Sequence, residues 1–323
     1  MKLIIQIPCL NEEETLKQTW DDLPRHIDGI DEIEYLIIND GSTDNTVEKA
    51  RELGFNYVVN FKHNKGLAKG FMAGLDACLH LGADIIVNTD ADNQYCGEDI
   101  ETIVRPIIDG KADIVIGERP IDKTEHFSWT KKKFQHLGSW VVRVASDTDI
   151  PDAPSGFRAY SREAALRLNV INDYTYTLET IIQAGREKMT MTSVPVRTNG
   201  ETRPSRLFSS MWKYMKRSAS VISRSFIMYR PMKFFSTLGI LSGLTGFGIG
   251  VYYLVITKFG RTGGHVQMLI LVAILILMGV VSFLIGLLGD AIAANRKLLE
   301  DIQYRVRILE AKENQEKNDE FKL

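Results

Sequence analysis

A chain of 323 residues with a formal net charge of -2 has room for one ordinary domain and a further element, and it lacks the basic excess of a nucleic-acid binder. Its 45% hydrophobic content is that of a soluble protein, but short apolar runs alternate with charged segments only up to about residue 230, where the character changes. Cys9, Cys78 and Cys96 form no CxxC pattern, which argues against a disulfide framework or a cysteine zinc site and leaves free thiols in a reducing compartment.

The opening run, Lys2 to Pro8, is too short and too weakly basic to be a secretory signal and reads as a first strand, so the expectation is a domain that stays in the cytosol. Helical character follows over Glu12–Leu23. Glu34–Asp40 reads as a strand, Thr43–Leu53 as a helix and Asn56–Asn60 as a short extended piece. Lys65–Leu81 reads as a helix, Asp84–Asp90 as a strand, Glu98–Asp109 as a helix and Ala112–Gly117 as a strand; a later helix spans Tyr176–Ala184. Such alternation predicts an α/β fold, a mainly parallel sheet covered by helices on both faces.

Ligands of such sheets bind beyond the carboxyl ends of the strands, and polar residues gather there. The first strand runs into Pro8-Cys-Leu-Asn-Glu12, the second into Asp40-Gly-Ser-Thr-Asp-Asn-Thr46, and a later one into Asp90-Ala-Asp-Asn-Gln94. No GxGxxG follows the first strand and no GxxxxGK[ST] occurs, so the common dinucleotide and P-loop fingerprints are absent. On an extended chain Asp90 and Asp92 point to the same side, where their charges repel. Either they cap the helix that follows, or, with Gln94, they offer hard oxygen ligands to Mg²⁺ or Mn²⁺, which would remove the repulsion and clamp a diphosphate. His63 reads as a turn residue.

Leu207–Met228 alternates Phe208, Met211, Trp212, Met215, Ile222 and Phe226 with Lys213, Lys216, Arg217 and Arg224, the pattern of a basic amphipathic helix; a core-packed helix of the first domain is the alternative, and its place directly before an apolar span favours the membrane interface. Phe234–Ile256 and Val266–Gly289 carry no charge and match the ~20 residues that cross a hydrocarbon core. The short loop Thr257–His265 makes them a hairpin. Basic residues are denser on the outer flanks, with Arg230 and Lys233 before and Arg296, Lys297, Arg305 and Arg307 after, which places both termini in the cytosol. Gly239 and Gly243, and Gly246 and Gly250, have GxxxG spacing, suited to packing within the hairpin or to a subunit contact. The expected organisation is a catalytic domain over 1–206, an interfacial region over 207–231, two membrane helices within 232–292 (about 234–256 and 266–289) and a cytosolic helix and tail over 293–323.

The ordered motifs Ile7-Pro-Cys-Leu-Asn-Glu-Glu13, Asp40-Gly-Ser-Thr-Asp-Asn-Thr46, His63-Asn-Lys-Gly-Leu-Ala-Lys-Gly70, Asp90-Ala-Asp-Asn-Gln94 and Ser155-Gly-Phe-Arg-Ala-Tyr160, followed by a membrane hairpin, resemble the family 2 glycosyltransferases of GT-A fold. Within that family they are similar to the polyprenyl-phosphate transferases related to dolichol-phosphate mannose synthase. The resemblance implies that Pro8, Leu10 and Glu12 line a base and ribose pocket, that Asp40 accepts a hydrogen bond from the base, that Asp90 lies against the nucleotide, and that Asp92 and Gln94 hold Mg²⁺ or Mn²⁺ on the diphosphate. It implies that Arg119 meets the acceptor phosphate, aided by Lys131, Lys132, Lys133 and Ser155, and that Arg203 and Arg206 sit on a loop over the donor phosphates. Asp152 and Glu179 are further catalytic candidates, each with a structural alternative.

The implied reaction is inverting transfer of a sugar from a nucleotide sugar, a UDP-sugar on family frequency, to undecaprenyl or dolichyl phosphate at the cytosolic membrane face, by a homo-oligomer. A processive polysaccharide synthase and a membrane-tethered nucleotide-sugar scaffold are the alternatives. Against the first, Gln135-His-Leu-Gly-Ser-Trp140 does not match the QxxRW signature.

Overall fold

The computed structural model describes residues 1–120, 143, 148–171, 175–199, 220, 223–224, 227–228, 230–258 and 266–313. Lys131, Lys132, Lys133, Arg203, Arg206, most of the amphipathic stretch and the loop residues 259–265 lie outside the described residues. The chain divides into two compact units, Met1–Ile222 with Glu300–Leu323, and Ser223–Leu299.

In the first unit the strands are β1 (Lys2–Cys9), β2 (Glu32–Asn39), β3 (Tyr57–Asn60), β4 (Ile85–Asn88), β5 (Ile114–Glu118), β6 (Arg158–Ser161) and β7 (Met191–Pro195). They form one seven-stranded sheet in the order β3-β2-β1-β4-β6-β5-β7. β6 runs antiparallel to both β4 and β5, and every other pairing is parallel. The helices are α1 (Leu16–Asp22), α2 (Thr46–Leu53), α3 (Leu67–His80), α4 (Asp99–Ile108), α5 (Arg162–Arg167) and α6 (Thr177–Arg186).

The central strands are continuous apolar runs because both of their faces are covered. Leu3, Ile5 and Ile7 of β1 join Leu16 of α1 and Ile100, Ile103 and Val104 of α4 in the core on one face. On the other face, the Ile38 side chain of β2 meets α3 at Gly70, and Phe71 of α3 stacks on Tyr176 at 3.9 Å between ring centres. Cys9, Cys78 and Cys96 are free.

The sequence pattern gave no sign of β6, β7 or α5. β6 is only four residues long and begins with an arginine that is 0% exposed, so neither period-2 alternation nor an apolar run marks it. Helix α1 begins at Leu16 rather than Glu12, because Glu12 opens a turn whose carbonyl accepts from the Thr15 and Leu16 amides.

The second unit contains α7 (Pro231–Lys258) and most of α8 (Val266–Glu313). Both are long and apolar enough to cross a membrane, and their most apolar windows are 11% and 0% buried. They pack antiparallel, since Gly286 meets Phe235, Gly246 meets Leu275 and Gly250 meets Val272. A Cβ on Gly239 would lie 2.8 Å from the Gly279 carbonyl oxygen, and the Ser242 hydroxyl donates to the Leu275 carbonyl at 2.8 Å. Gly239, Gly246 and Gly250 therefore serve the packing of the hairpin itself.

Beyond Leu299, α8 belongs to the first unit. There Arg307 Nη1 donates to the Leu168 carbonyl at 2.6 Å and to the Leu166 carbonyl at 3.3 Å, and its Nη2 lies 3.0 Å from Asp76 Oδ1. Asn169 donates to Gln303 at 2.7 Å, and the Tyr304 hydroxyl donates to the Glu163 carboxylate. Arg307 thus satisfies carbonyls left open at the end of α5.

Candidate active site

The site is built where the carboxyl ends of β1, β2 and β4 lie side by side. β2 ends in Asn39, whose Nδ2 donates to Asn60 at 2.7 Å and whose Oδ1 accepts from the Ser42 amide at 3.0 Å. The buried Asp40 accepts from the Lys65 amide at 2.6 Å and the Gly66 amide at 3.0 Å. That carboxylate therefore faces the start of α3, where the helix dipole favours a negative charge. Gly41 has φ +75°, and a Cβ there would sit 2.6 Å from the His63 backbone carbon, so only glycine fits this turn. The turn brings the Asp40-Gly-Ser-Thr and His63-Asn-Lys-Gly segments together.

The loop after β1 joins the same corner. Asn11 takes φ 56°, donates its amide to Ser42 Oγ at 3.0 Å, and accepts from the Thr43 amide at 2.8 Å. The buried Glu12 accepts from the Thr15 hydroxyl at 2.7 Å, and its own amide donates to the Thr46 hydroxyl at 2.9 Å. Pro8 is half-buried, and Leu10 is exposed beside this corner.

β4 carries the acidic pair. Asp92 Oδ1 accepts from the Gln94 amide at 3.2 Å, and the turn is pinned from outside by Asn199, whose amide donates to the Gln94 carbonyl at 2.9 Å and whose Nδ2 donates to the Asn93 carbonyl at 3.0 Å. Helix α4 begins at Asp99, with Glu98 at its N-cap, so neither Asp90 nor Asp92 caps the helix that follows. The Asp90 carboxyl is pushed up to about 7, first by burial, then by the neighbouring Asp92 charge, while Arg119 pulls it the other way. Burial and the like charge two residues away thus both disfavour ionisation of Asp90. Among the described residues no group of three or more histidines, cysteines or carboxylates forms a metal cage. Asp90, Asp92 and Gln94 carry oxygen donors, the ligand type of a hard cation that leaves most of its coordination to water and phosphate.

Opposite the acidic pair, Arg119 follows β5. Its Nε and Nη2 donate to the carboxylate oxygens of Asp152 at 2.8 and 2.9 Å, and its amide donates to Asp152 Oδ2 at 3.2 Å. Asp152 is 0% exposed, and the two-pronged pair fixes the plane of the guanidinium. Burial works against the Arg119 charge, but Tyr95 and Asp152 outweigh it and hold the guanidinium firmly protonated. Nη1 lies outside the fork. Asp152 is therefore the partner that orients Arg119, a pairing across 33 residues of chain that no local pattern shows.

Beneath the acidic pair lies a floor of buried polar side chains that sequence reasoning missed. Asn88, the last residue of β4, accepts from Gln6 at 3.0 Å and donates to the Tyr176 hydroxyl at 2.8 Å and the Gly156 carbonyl at 3.1 Å. The Tyr95 hydroxyl accepts from the Gly156 amide at 3.3 Å. A Cβ on Gly156 would lie 3.5 Å from Asp90 Oδ2 and 3.2 Å from the Tyr176 hydroxyl, so glycine keeps this backbone tight against the carboxylate. The available signal was an asparagine closing an otherwise apolar strand, which occurs at both Asn39 and Asn88. Ser155 is 0% exposed, and its side chain lies against Tyr95. Glu179 of α6 is 1% exposed and accepts from the Ile171 amide at 3.3 Å. The structure thus brings Pro8, Leu10, Glu12 and Asp40 to one corner, Asp90, Asp92 and Gln94 to the β4 turn, and Arg119 with Asp152 to a fork electrostatically coupled to Asp90.

Comparison with known proteins bears on the family and the fold. The family described as Glycosyl transferase family 2 matches residues 4–168. The UDP-N-acetylglucosamine–dolichyl-phosphate N-acetylglucosaminyltransferase of Methanococcus voltae is 32% identical over 216 residues, covering 59% of this chain and 83% of that protein. The undecaprenyl-phosphate mannosyltransferase of Micrococcus luteus is 27% identical over 206 residues, covering 61% and 83%. The solved structure of glucosyl-3-phosphoglycerate synthase from Mycobacterium tuberculosis, in complex with Mn²⁺, uridine diphosphate and glucosyl-3-phosphoglycerate, superimposes with a TM-score of 0.54 at 18% identity, over 70% of this chain and 78% of that one. That likeness shares the GT-A fold alone. A family match over half the chain, on the sheet that carries the Asp90–Asp92 turn, makes the conclusion plain: this protein belongs to glycosyl transferase family 2.

Proposed function

We propose that this glycosyltransferase moves one sugar from a nucleotide sugar to a polyprenyl phosphate, with inversion, on the cytosolic side of a membrane. The observation that carries the reading is the arrangement at the strand ends: a buried carboxylate, Asp90, with Asp92 two residues on, electrostatically coupled to an arginine that Asp152 holds in a fixed plane. Membrane association follows from the two apolar helices. The relatives are named for dolichyl-phosphate and undecaprenyl-phosphate acceptors.

In this reading the Pro8–Glu12 loop and Asp40 receive the base and ribose. Asp92 and Gln94, with Asp90 beside them, would hold Mg²⁺ or Mn²⁺. Such an ion, when bound, neutralises the charge that develops on the departing diphosphate. The acceptor is a phosphate oxygen already ionised at neutral pH, so it needs orientation more than deprotonation. Arg119 supplies that orientation, because its planar fork is locked on one side by Asp152 and its Nη1 faces away from that pair. Asp152 then acts through Arg119, and Glu179 holds the Ile171 backbone amide. Lys131, Lys132 and Lys133 on the acceptor side, and Arg203 and Arg206 over the donor phosphates, complete the assignment, as does a homo-oligomeric state. The basic flanks of the hairpin support the cytosolic orientation.

The test uses the full chain in vesicles, with UDP- and GDP-sugars offered against undecaprenyl and dolichyl phosphate. The expected result is lipid-linked sugar, and release of nucleoside diphosphate only when lipid phosphate and a divalent cation are both present. A growing polymer would instead make the chain a processive synthase. Binding without release would make it a scaffold.

A further inference from the structure

Arg158 of β6 is 0% exposed, and among the described residues it forms no ion pair. Three of its donors go to neutral acceptors: Nε to the Ser155 carbonyl at 2.8 Å, Nη2 to the Ala153 carbonyl at 2.6 Å, and Nη1 to the Thr180 hydroxyl at 2.7 Å. The face of Tyr176 lies 5.9 Å from the guanidinium carbon. A desolvated cation without a carboxylate is a costly way to fill a core position, and a neutral side chain would serve stability more cheaply. What distinguishes the site is what the guanidinium grips. Ala153 and Ser155 belong to the turn that begins at Asp152, and the Ser155 amide closes that turn on the Asp152 carbonyl at 3.2 Å. Asp152 in turn orients Arg119. Arg158 pairs in register with Asn88 of β4, directly below the Asp90 turn, and Gly156 abuts Asp90.

We propose that Arg158 is the positioning residue for the acceptor-phosphate side of the site: its rigid plane fixes the Asp152–Ser155 turn to β6 and α6, and thereby sets the direction in which Arg119 and Ser155 face. The proposal rests on the transfer reaction above. An ammonium at this position would keep the charge but could not reach carbonyls and a hydroxyl in one plane. The chain of contacts runs from Arg158 through Asp152 to Arg119, and it bypasses the Pro8–Glu12 and Asp40 corner.

The experiment compares wild type, Arg158→Lys, Arg158→Gln and Thr180→Val as full chains in vesicles, with undecaprenyl phosphate as acceptor. Arg158→Lys is expected to raise the acceptor KM about tenfold, with kcat and the donor KM within about threefold of wild type. Arg158→Gln is expected to raise it further, and Thr180→Val, which removes one acceptor only, about threefold. In parallel, hydrogen exchange is read at the Arg119, Ser155 and Gly156 amides. It is expected to quicken in Arg158→Lys while the β1 and β2 amides are unchanged. Equal rises in donor and acceptor KM, or wild-type acceptor KM in a folded Arg158→Gln, would overturn the proposal. If Arg158→Gln does not fold, an unchanged acceptor KM in Thr180→Val overturns it. If wild type transfers to no lipid phosphate, the transfer reading fails by itself, and exchange at the Arg119 amide alone then decides whether Arg158 fixes the turn: no change there sinks the idea.

Discussion

Leu36, Ile37 and Ile38 of β2 are 0% exposed, whereas Leu241 of α7 and Leu277 and Leu288 of α8 show 65%, 63% and 66% of their surface. The same aliphatic chemistry is turned inward in one unit and outward in the other. In the first, removal of apolar area from water holds the sheet and its helices together. In the second, an apolar surrounding leaves little to gain from hiding leucine, and the helices are held by backbone approach at Gly239 and Gly279 and by the Ser242 hydroxyl. Charge follows the same division. The sheet unit takes Asp152 and Arg158 into its interior, where each is hydrogen-bonded, while Phe234–Ile256 of the hairpin contains no charged residue.

Substitutions in the two regions should therefore separate cleanly. The largest expected effect is chemical and belongs to the sheet unit alone. Asp92→Ala should lower kcat/KM about a thousandfold, or roughly 4 kcal/mol, with membrane association unaltered. The melting temperature should hold or rise, because the like-charge neighbour of Asp90 is gone. Transfer at the wild-type rate would remove Asp92 from the reaction. Next comes a matched pair. Leu36→Ala should cost about 2–5 kcal/mol of stability in thermal or denaturant unfolding, whereas Leu277→Ala on the outward face should cost less than about 1 kcal/mol. Equal costs would mean that the two leucines see the same surroundings. Smaller again, Arg119→Ala should raise the acceptor KM about thirtyfold and the donor KM less than about threefold; equal damage to both would move Arg119 to the donor side.

The smallest effect concerns Arg307. Arg307→Ala should destabilise the sheet unit by about 1 kcal/mol at neutral pH, without changing either KM. Burial raises the Asp76 carboxyl above its ordinary range, and Arg307, followed by His80, pulls against that rise. An acid with a raised folded pKa favours the native state at low pH, and that contribution is lost as pH rises through the folded value. The penalty of the variant should therefore shrink on acidification from pH 7 towards 4. A pH-independent penalty would show that Arg307 acts through the Leu166 and Leu168 carbonyls alone.

What the sequence disclosed and what it withheld divide along similar physical lines. The runs Leu3–Ile7 and Tyr35–Ile38 are local and continuous, and the motif ends at Asp40 and Asp90 follow them directly, so the parallel half of the sheet and its acidic rim could be read from the chain. β6 could not, because its register is set by neighbours distant in sequence, Asn88 and Ile116, and its own residues include a buried arginine. The Arg119–Asp152 fork was equally hidden: both residues were named as candidates, but nothing local shows that one exists to aim the other. Asn199 and Tyr95, which tie down the acidic turn, carry no composition signal at all.

The clasp made by Asn169, Gln303, Tyr304 and Arg307 means that the sheet unit is not one uninterrupted stretch of polypeptide. Its last piece is translated only after the hairpin has been made, so a ribosome that has finished residue 222 has not yet finished this unit. An engineer seeking a water-soluble version would do better to excise Ser223–Leu299 and splice the terminal helix back on than to stop the chain ahead of the hairpin.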